Sequence, residues 1–358
     1  MDATSLIRRR LQRQRLTSAP LRTAAEVVAM FGGMQAQEYA EARWSLAERM
    51  RGEVTAADIG DAFNRGEILR THTLRPTWHF VARDDIRMVL AATSHRVHSA
   101  SRYVYTQFDI TEEVVERAEE TMVTLLSDGE ARTRPELTAA LGDAGIEAGG
   151  TKLGYLVMTA ELDGLICSGP LRGKQHTYAL VADRAPDAPG YSREEAQVEL
   201  ARRYFGGHGP ASRRDFCMWA SLPRAEADPA IEALGDELVI TVDPDLGELI
   251  EPAGRIPRRT REPGEAFLIP MYDEMGMGYR DVRPTISDPD SAIGHFERPV
   301  VIDGVTVGSW RRKQTTKRLT VEVTPVGGRL DAARTRAIEA TAERLGRHLD
   351  LAADVSFA

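Results

Sequence analysis

The chain has 358 residues, enough for two or three domains sharing cores, and an apolar fraction of 42% with interspersed charge fits a globular protein. No apolar run approaches the roughly 20 residues that cross a bilayer, the N-terminal residues lack the apolar core of a secretory signal, and Cys167 and Cys217 lack metal-ligand spacing, so a cytoplasmic protein with two structural thiols is expected. The formal net charge of −8 argues at first against nucleic acid, yet residues 1–100 hold 15 arginines against 11 acidic residues, and screening over about 10 Å leaves phosphate binding to local patches.

Taken in order, the elements repeat one outline. An amphipathic helix is expected over Leu6–Leu16, then a helix capped by Thr23 over Ala24–Phe31, stopped by Gly32-Gly33. Helical periodicity resumes over Glu38–Met50, and Thr55 caps a further helix to Asn64. Residues Leu69–Val81 are rich in β-formers and read as a ribbon, followed by a helix from Asp84 to about Val97. Helices followed by a ribbon outline a winged helix. The outline returns with helices over Glu112–Leu126, from Thr133 with Pro135 in the first turn, and over Lys152–Leu162, then a wing made by Leu165–Ser168 and Gln175–Val181. After a Pro/Gly linker at 185–191 it appears a third time: helices from Ser192 to Phe205, Arg213 to Ala220 and Arg224 to Leu234, then strands at Glu237–Val242 and Ala266–Met271. A hairpin turning on Asp303-Gly304, a strand over Lys317–Val323 and a helix over Ala332–Leu349 close the chain. The expected division is 1–105, 106–188 and 189–358, the last carrying a small C-terminal β-rich element.

Nucleophile elbows, phosphate-cradling glycine loops, CxxC pairs and HExxH are absent from the sequence. The sharpest local oddity is Gly33-Met34-Gln35-Ala36-Gln37-Glu38 between two helices. If extended, it puts Gln35 and Gln37 on one side, where two amides can hold a water or a polar edge; a capping or solvent-facing role is the alternative. Glutamine is a poor base, so such a pair suits a reaction whose leaving group is already activated.

With Ala42-Arg43-Trp44-Ser45-Leu46, Arg70-Thr71, Thr77-Trp78-His79-Phe80-Val81, His208-Gly209-Pro210-Ala211, Asp215-Phe216, Trp219, Leu268 to Glu274, Gly278-Tyr279-Arg280 and Gly308 to Arg312, that segment resembles the tandem winged-helix DNA glycosylase family of the AlkZ and YcaQ type, over nearly the full length. The resemblance implies an α+β fold of three winged helices around a concave basic channel. It also implies catalysis by Gln35 and Gln37, since AlkZ-like members carry glutamine–apolar–glutamine where YcaQ-like members end in aspartate. Met34 stands where members frequently have leucine, a swap expected to be neutral.

The implied substrates are bulky N7-alkylated purines or interstrand crosslinks in double-stranded DNA, including lesions made by antibiotics, against which such enzymes protect their producers. Alkylation at N7 charges the base, which then departs neutral from an oxocarbenium-like sugar; the glutamine carbonyls are expected to accept the hydrogens of the attacking water. Glu38 points to the other side of an extended segment and ranks below the pair. Lysine occurs only at 152, 174, 313 and 317, so the first 151 residues offer no side-chain amine for strand nicking, and monofunctional hydrolysis by a monomer is expected, without metal or cofactor. Arg70, Arg75 and His79 on the ribbon, and Arg311, Arg312, Lys313 and Lys317 near the Asp303-Gly304 hairpin, are the expected DNA contacts. For His79 a satisfied place within the ribbon, and for Arg70 and Arg75 a solvated wing, are the competing readings. Trp44 and Trp78 are read as core, and Tyr272-Asp273-Glu274 as an internal hydrogen-bonding corner. The rival readings are a winged-helix regulator without catalysis and a protein that sequesters the genotoxin.

Overall fold

The computed structural model describes residues 2–280 and 298–358. Helix α1 (Ala3–Arg13) comes first. Next are α2 (Ala24–Phe31), β1 (Met34–Gln35), α3 (Tyr39–Arg49), α4 (Ala56–Asn64), β2 (Ile68–Thr73) and β3 (Thr77–Ala82). Thr23 with Glu26, and Thr55 with Asp58, form reciprocal capping boxes that fix where α2 and α4 begin. The strands form an antiparallel sheet in the order β1-β3-β2, with Gln35 opposite His79 and His79 opposite Thr71. One face, carrying Met34, Ala36 and Phe80, packs on α2, α3 and α4 through Val27, Phe31, Leu46 and Phe63. This is the first winged helix.

Helix α5 (Ile86–Gln107) leads into the second unit: α6 (Glu112–Leu126), β4 (Arg132–Thr133), α7 (Arg134–Asp143), α8 (Gly150–Leu162), β5 (Ile166–Ser168), β6 (Thr177–Leu180) and α9 (Val181–Arg184). Its sheet abuts the first: the Arg70 N–H in β2 donates to Ser168 Oγ at 2.8 Å. The third unit holds α10 (Arg193–His208), α11 (Arg213–Ala220), α12 (Arg224–Glu232) and the hairpin β7 (Leu238–Asp243)–β8 (Gly247–Pro252). Its core is not its own. Leu69, Leu74 and Val81 of the first ribbon, and Val89 and Ala92 of α5, join Leu200, Tyr204, Phe205, Phe216 and Trp219 in one buried cluster.

After β9 (Ala266–Leu268) and the short α13 (Glu274–Met277) come β10 (Pro299–Ile302), β11 (Val305–Gln314), β12 (Arg318–Pro325), α14 (Ala332–Leu349) and β13 (Ala352–Phe357). They make a five-stranded sheet in the order β13-β12-β11-β10-β9, with β13 parallel to β12. Asp303 and Gly304, both at positive φ (50° and 86°), form the expected tight turn. Trp44 of α3 inserts into the core of this sheet and donates to the Leu268 carbonyl at 2.9 Å, while Trp310 donates to that of Ile269 at 2.8 Å. Between them they hold the segment that leads into residues 270–274. Among the described residues no helix is long and apolar enough to cross a membrane.

Several boundaries differ from the expectation. Helix α1, counted with the first unit, packs instead on residues of the third: Arg10 donates to the Pro210 carbonyl at 2.8 Å, Arg9 and Arg13 pair with Glu251, and Gln14 donates to Tyr279 Oη at 3.1 Å. Helix α5 runs ten residues past Val97, because Ser101 and Tyr105 continue its buried side. The strand expected over Ala266–Met271 ends at Leu268. Strands β8 and β13 were not expected at all.

The units meet at Asp273. Arg49 of α3 and Asp273 are almost completely enclosed, with two nitrogens each 2.8 Å from a carboxylate oxygen. Ser45 Oγ donates to the same carboxylate, and Arg49 also donates to Gln14 Oε1 at 3.0 Å, tying α1 to the pair. Opposite charge and two-point geometry offset the cost of removing both ions from water. Removing one partner strands the other. Asp273→Ala should therefore lower the free energy of unfolding in urea by roughly 3–5 kcal/mol, and a loss no larger than that of a surface substitution would show that the pair does not hold the units together.

Candidate active site

Gly32 ends α2 at φ +80°, and Leu200 Cδ1 lies 3.1 Å from where a β-carbon would stand, so this close turn suits glycine and sets the entry to β1. The strand then carries Gln35, 7% exposed, and the chain continues through Ala36 to a half-buried Gln37 and an exposed Glu38. Gln35 is held on both its backbone and its side chain. Its N–H donates to Glu274 Oε1 at 3.2 Å, and its Oε1 accepts from Arg75 Nη2 at 3.0 Å. Gln37 Oε1 accepts from the Trp78 N–H at 3.3 Å.

Glu274 is fully enclosed and serves three elements. Besides Gln35 on β1, its Oε2 accepts from Trp219 Nε1 of α11 at 2.8 Å and lies 3.0 Å from His208 Nε2 of α10. His208 Nδ1 lies 3.1 Å from the Tyr204 carbonyl, which orients the ring toward the carboxylate. The third winged helix thus fixes the backbone of a strand in the first.

The ribbon residues expected to touch DNA turn inward instead: Arg70 and His79 are buried and Arg75 is half-buried, and each bonds within the protein. Arg75 Nη1 donates to the Trp219 carbonyl at 2.7 Å, and its Nη2 reaches both Gln35 and His79 Nε2, the latter at 3.2 Å. His79 is fully buried and its Nδ1 donates to the Thr77 carbonyl at 2.9 Å. Burial first, and the Arg75 cation second, push its pKa well below the usual histidine range, so it is a neutral acceptor from Arg75 and not a phosphate contact. Arg70 Nε donates to the Ala36 carbonyl at 3.0 Å and Nη2 to that of Gln37 at 3.4 Å, with the guanidinium 4.3 Å from the Trp78 ring centre. Burial brings its pKa down to about 10, which leaves it charged near neutrality. These residues hold the Gln35-Ala36-Gln37 segment from behind. The solvated wing considered for both arginines fails too, because Arg70 is covered where β2 abuts the second unit and Arg75 is held on the Trp219 carbonyl of the third.

Trp44 is core, as expected, but Trp78 is half-buried between Arg70 and His72, and His72 in turn pairs with Glu161 of α8. Tyr272-Asp273-Glu274 is the internal corner that its sequence suggested. The expectation did not extend to its second carboxylate gripping the glutamine strand, or to His208 and Trp219 converging there.

The distal basic residues differ from those of the ribbon. Arg311, Lys313, Lys317 and Arg318 are exposed on β11, β12 and their turn, and Arg312 is half-buried. Lys313 pairs with Glu322 at 2.6 Å and Arg318 with Asp354, whereas no described residue pairs with Arg311, Arg312 or Lys317. Arg312 lies near enough to Arg43 of α3 for the two cations to oppose each other, and Arg43 lies 4.9 Å from the Tyr39 ring, just beyond Glu38. Among the described residues no cluster of histidine, cysteine, aspartate and glutamate could hold a metal.

A family model described as AlkZ-like DNA glycosylase matches residues 28–348, which includes every element of this network except α1. The chain belongs to the AlkZ-like DNA glycosylase family. It is similar to a curated interstrand DNA cross-link repair glycosylase of Streptomyces sahachiroi, 26% identical over 84% of this chain and 85% of that one. In structure it is similar to the DNA glycosylase AlkZ of the same organism, with a TM-score of 0.82 over the whole of both chains at 20% identity, which bears on the α+β tandem winged-helix fold. An AlkZ-like glycosylase is a hydrolase of N-glycosyl bonds and takes DNA as its substrate, so the readings without catalysis fall away.

Among the described residues, three histidines are pushed toward their neutral form by full or partial burial. Alongside His79, burial brings both His176, near Tyr39, and His348 of α14 down to about 4. The unfolded chain protonates them near pH 6.5, so their contribution to stability is complete above about pH 6.5 and is lost as pH falls toward about 4. The melting temperature should drop between about pH 7 and pH 5, and His348→Gln should make that drop shallower. An unchanged slope in the variant would count against burial of a neutral His348.

Proposed function

We propose that this glycosylase hydrolyses the N-glycosidic bond of bulky N7-alkylated purines or interstrand crosslinks in double-stranded DNA, with Gln35 and Gln37 as the catalytic residues, and leaves an intact abasic site. The observation that carries the reading is the arrest of Gln35 on β1 and of Gln37 just beyond it by Arg75, the Trp78 N–H and the Glu274 carboxylate. Neither residue is an acid or a base of useful strength near neutrality. A site built on two amides suits a leaving group that already carries positive charge and needs no proton. The glutamines flank the scissile bond, where fixed dipoles act on charge that develops only as the bond breaks.

The four lysines lie at 152, 174, 313 and 317, and none makes a hydrogen bond or ion pair with Gln35, Gln37 or the residues that hold them. That supports hydrolysis by water over attack by an amine. Arg311, Arg312, Lys313 and Lys317 contact phosphates on one flank, and Arg43 extends this track toward Tyr39. Three winged helices in one chain supply the extended contact that smaller binders obtain by pairing, which supports a monomer. The relative's role in interstrand cross-link repair supports large lesions and, with them, protection of a producer of a DNA-alkylating compound.

A duplex oligonucleotide with one N7-alkylguanine, incubated with protein and then treated with alkali, tests the chemistry. Wild type should give alkali-dependent cleavage only, and Gln35→Ala and Gln37→Ala should each lose it by roughly 10²-fold or more. Breaks without alkali would refute the monofunctional reading, and equal cleavage by all three would move the site elsewhere. For the basic flank, Arg311→Ala with Lys317→Ala should weaken binding to any duplex and reduce the salt slope by about one for each phosphate no longer neutralised. An unchanged slope would remove those residues from the phosphate track.

A further inference from the structure

Donor-only partners determine how the catalytic amides face. A guanidinium has no lone pair to offer and neither has a backbone N–H, so the Gln35 atom that meets Arg75 and the Gln37 atom that meets the Trp78 N–H must both be carbonyl oxygens. The two locks differ in strength. Gln37 rests on one bond of 3.3 Å and is half-buried. Gln35 is gripped at its backbone by Glu274, and Arg75 is itself anchored on the Trp219 carbonyl at 2.7 Å and on the neutral His79 at 3.2 Å. What Gln35 turns outward is its –NH2. No described residue accepts from it, and it is not among the buried atoms that lack a partner. Its hydrogens carry positive charge, which is the wrong sign to face a sugar carbon turning cationic and the right sign to face a lone pair on the departing base.

We propose that Gln35 donates a hydrogen bond to the leaving purine at N3, and that Arg75 is the positioning residue that keeps its amide turned that way; this rests on the substrate reading above. Alkylation occupies N7, and N3 is then the ring acceptor nearest the glycosidic carbon. When the C1′–N9 bond breaks, its electron pair passes to the base, cancels the positive charge and raises the electron density at N3. The hydrogen bond strengthens as that pair arrives, so it favours the transition state over the bound substrate. Water adds through its oxygen to C1′ and releases a proton to solvent, and the base leaves neutral with no further reactant.

The test compares duplexes carrying N7-methylguanine or its 3-deaza counterpart, in which C–H replaces N3, under single-turnover conditions. Gln35→Ala should slow release of the ordinary base by roughly 10²-fold, while on the 3-deaza base wild type and variant should nearly coincide. Gln35→Glu keeps the shape but only accepts, and should be as slow as Gln35→Ala. Arg75→Met should lower the single-turnover rate with DNA affinity unchanged, and Arg75→Lys, which keeps a cationic donor, should recover part of that rate. An equal loss on both bases, or a Gln35→Glu variant as fast as wild type, overturns the donor role alone. Release of neither base by wild type overturns the substrate reading and this assignment with it.

Discussion

Two carboxylates on neighbouring residues, Asp273 and Glu274, lie enclosed in protein and face different ways. A buried carboxylate left without donors would shift or unfold its surroundings, so each must be met by groups from elsewhere. Asp273 is met by Arg49 and Ser45 of the helix after the glutamine strand. Glu274 is met by the strand itself, by Trp219 and by His208. Satisfying this one dipeptide joins the first winged helix to the third. It also reaches the C-terminal sheet, since Trp44 and Trp310 hold the carbonyls just upstream.

Placed this way, the glutamine segment is held by polar groups that make their contacts inside the protein. Arg75 and Arg70 show the same principle on the ribbon: charges that would be unremarkable on a wing are turned inward to hold carbonyls of the glutamine segment. The net charge of the chain is therefore a poor guide to DNA binding, because part of its basic complement is spent on internal positioning. Arg311 and Arg312 of β11 and Lys317 of the β11–β12 turn, which pair with no described residue, carry the outward field.

Much of the fold was legible where local chemistry dictates it. Helices α2, α4, α6, α11 and α14 begin and end where their caps place them, because a capping side chain satisfies backbone groups within three residues. What could not be read depends on partners distant in sequence. Strand β8 (Gly247–Pro252) places charged Glu248 and Glu251 on an edge hairpin, and β13 forms only because β12 offers a parallel edge after the turn at Asp350. The Gln35-Ala36-Gln37 segment stood out as a short polar run between helices, and the internal corner at 272–274 was visible after an apolar strand. That Arg70 and His79 would be covered was not, since the cover comes from α8, β5 and α11, up to 150 residues away.

Helix α1 and the glutamine strand have a further property in common: the groups that hold them are made late. A ribosome emits these residues first, yet Arg10 meets the Pro210 carbonyl, Gln14 meets Tyr279 as well as Arg49, and the carboxylate that grips the Gln35 backbone lies at 274. Units of a multidomain chain ordinarily settle as they emerge. Here the first winged helix lacks the Glu274 grip on β1 and the docking surface of α1 until those later residues exist. A product stopped before residue 274 contains both glutamines without the carboxylate that holds the backbone of Gln35.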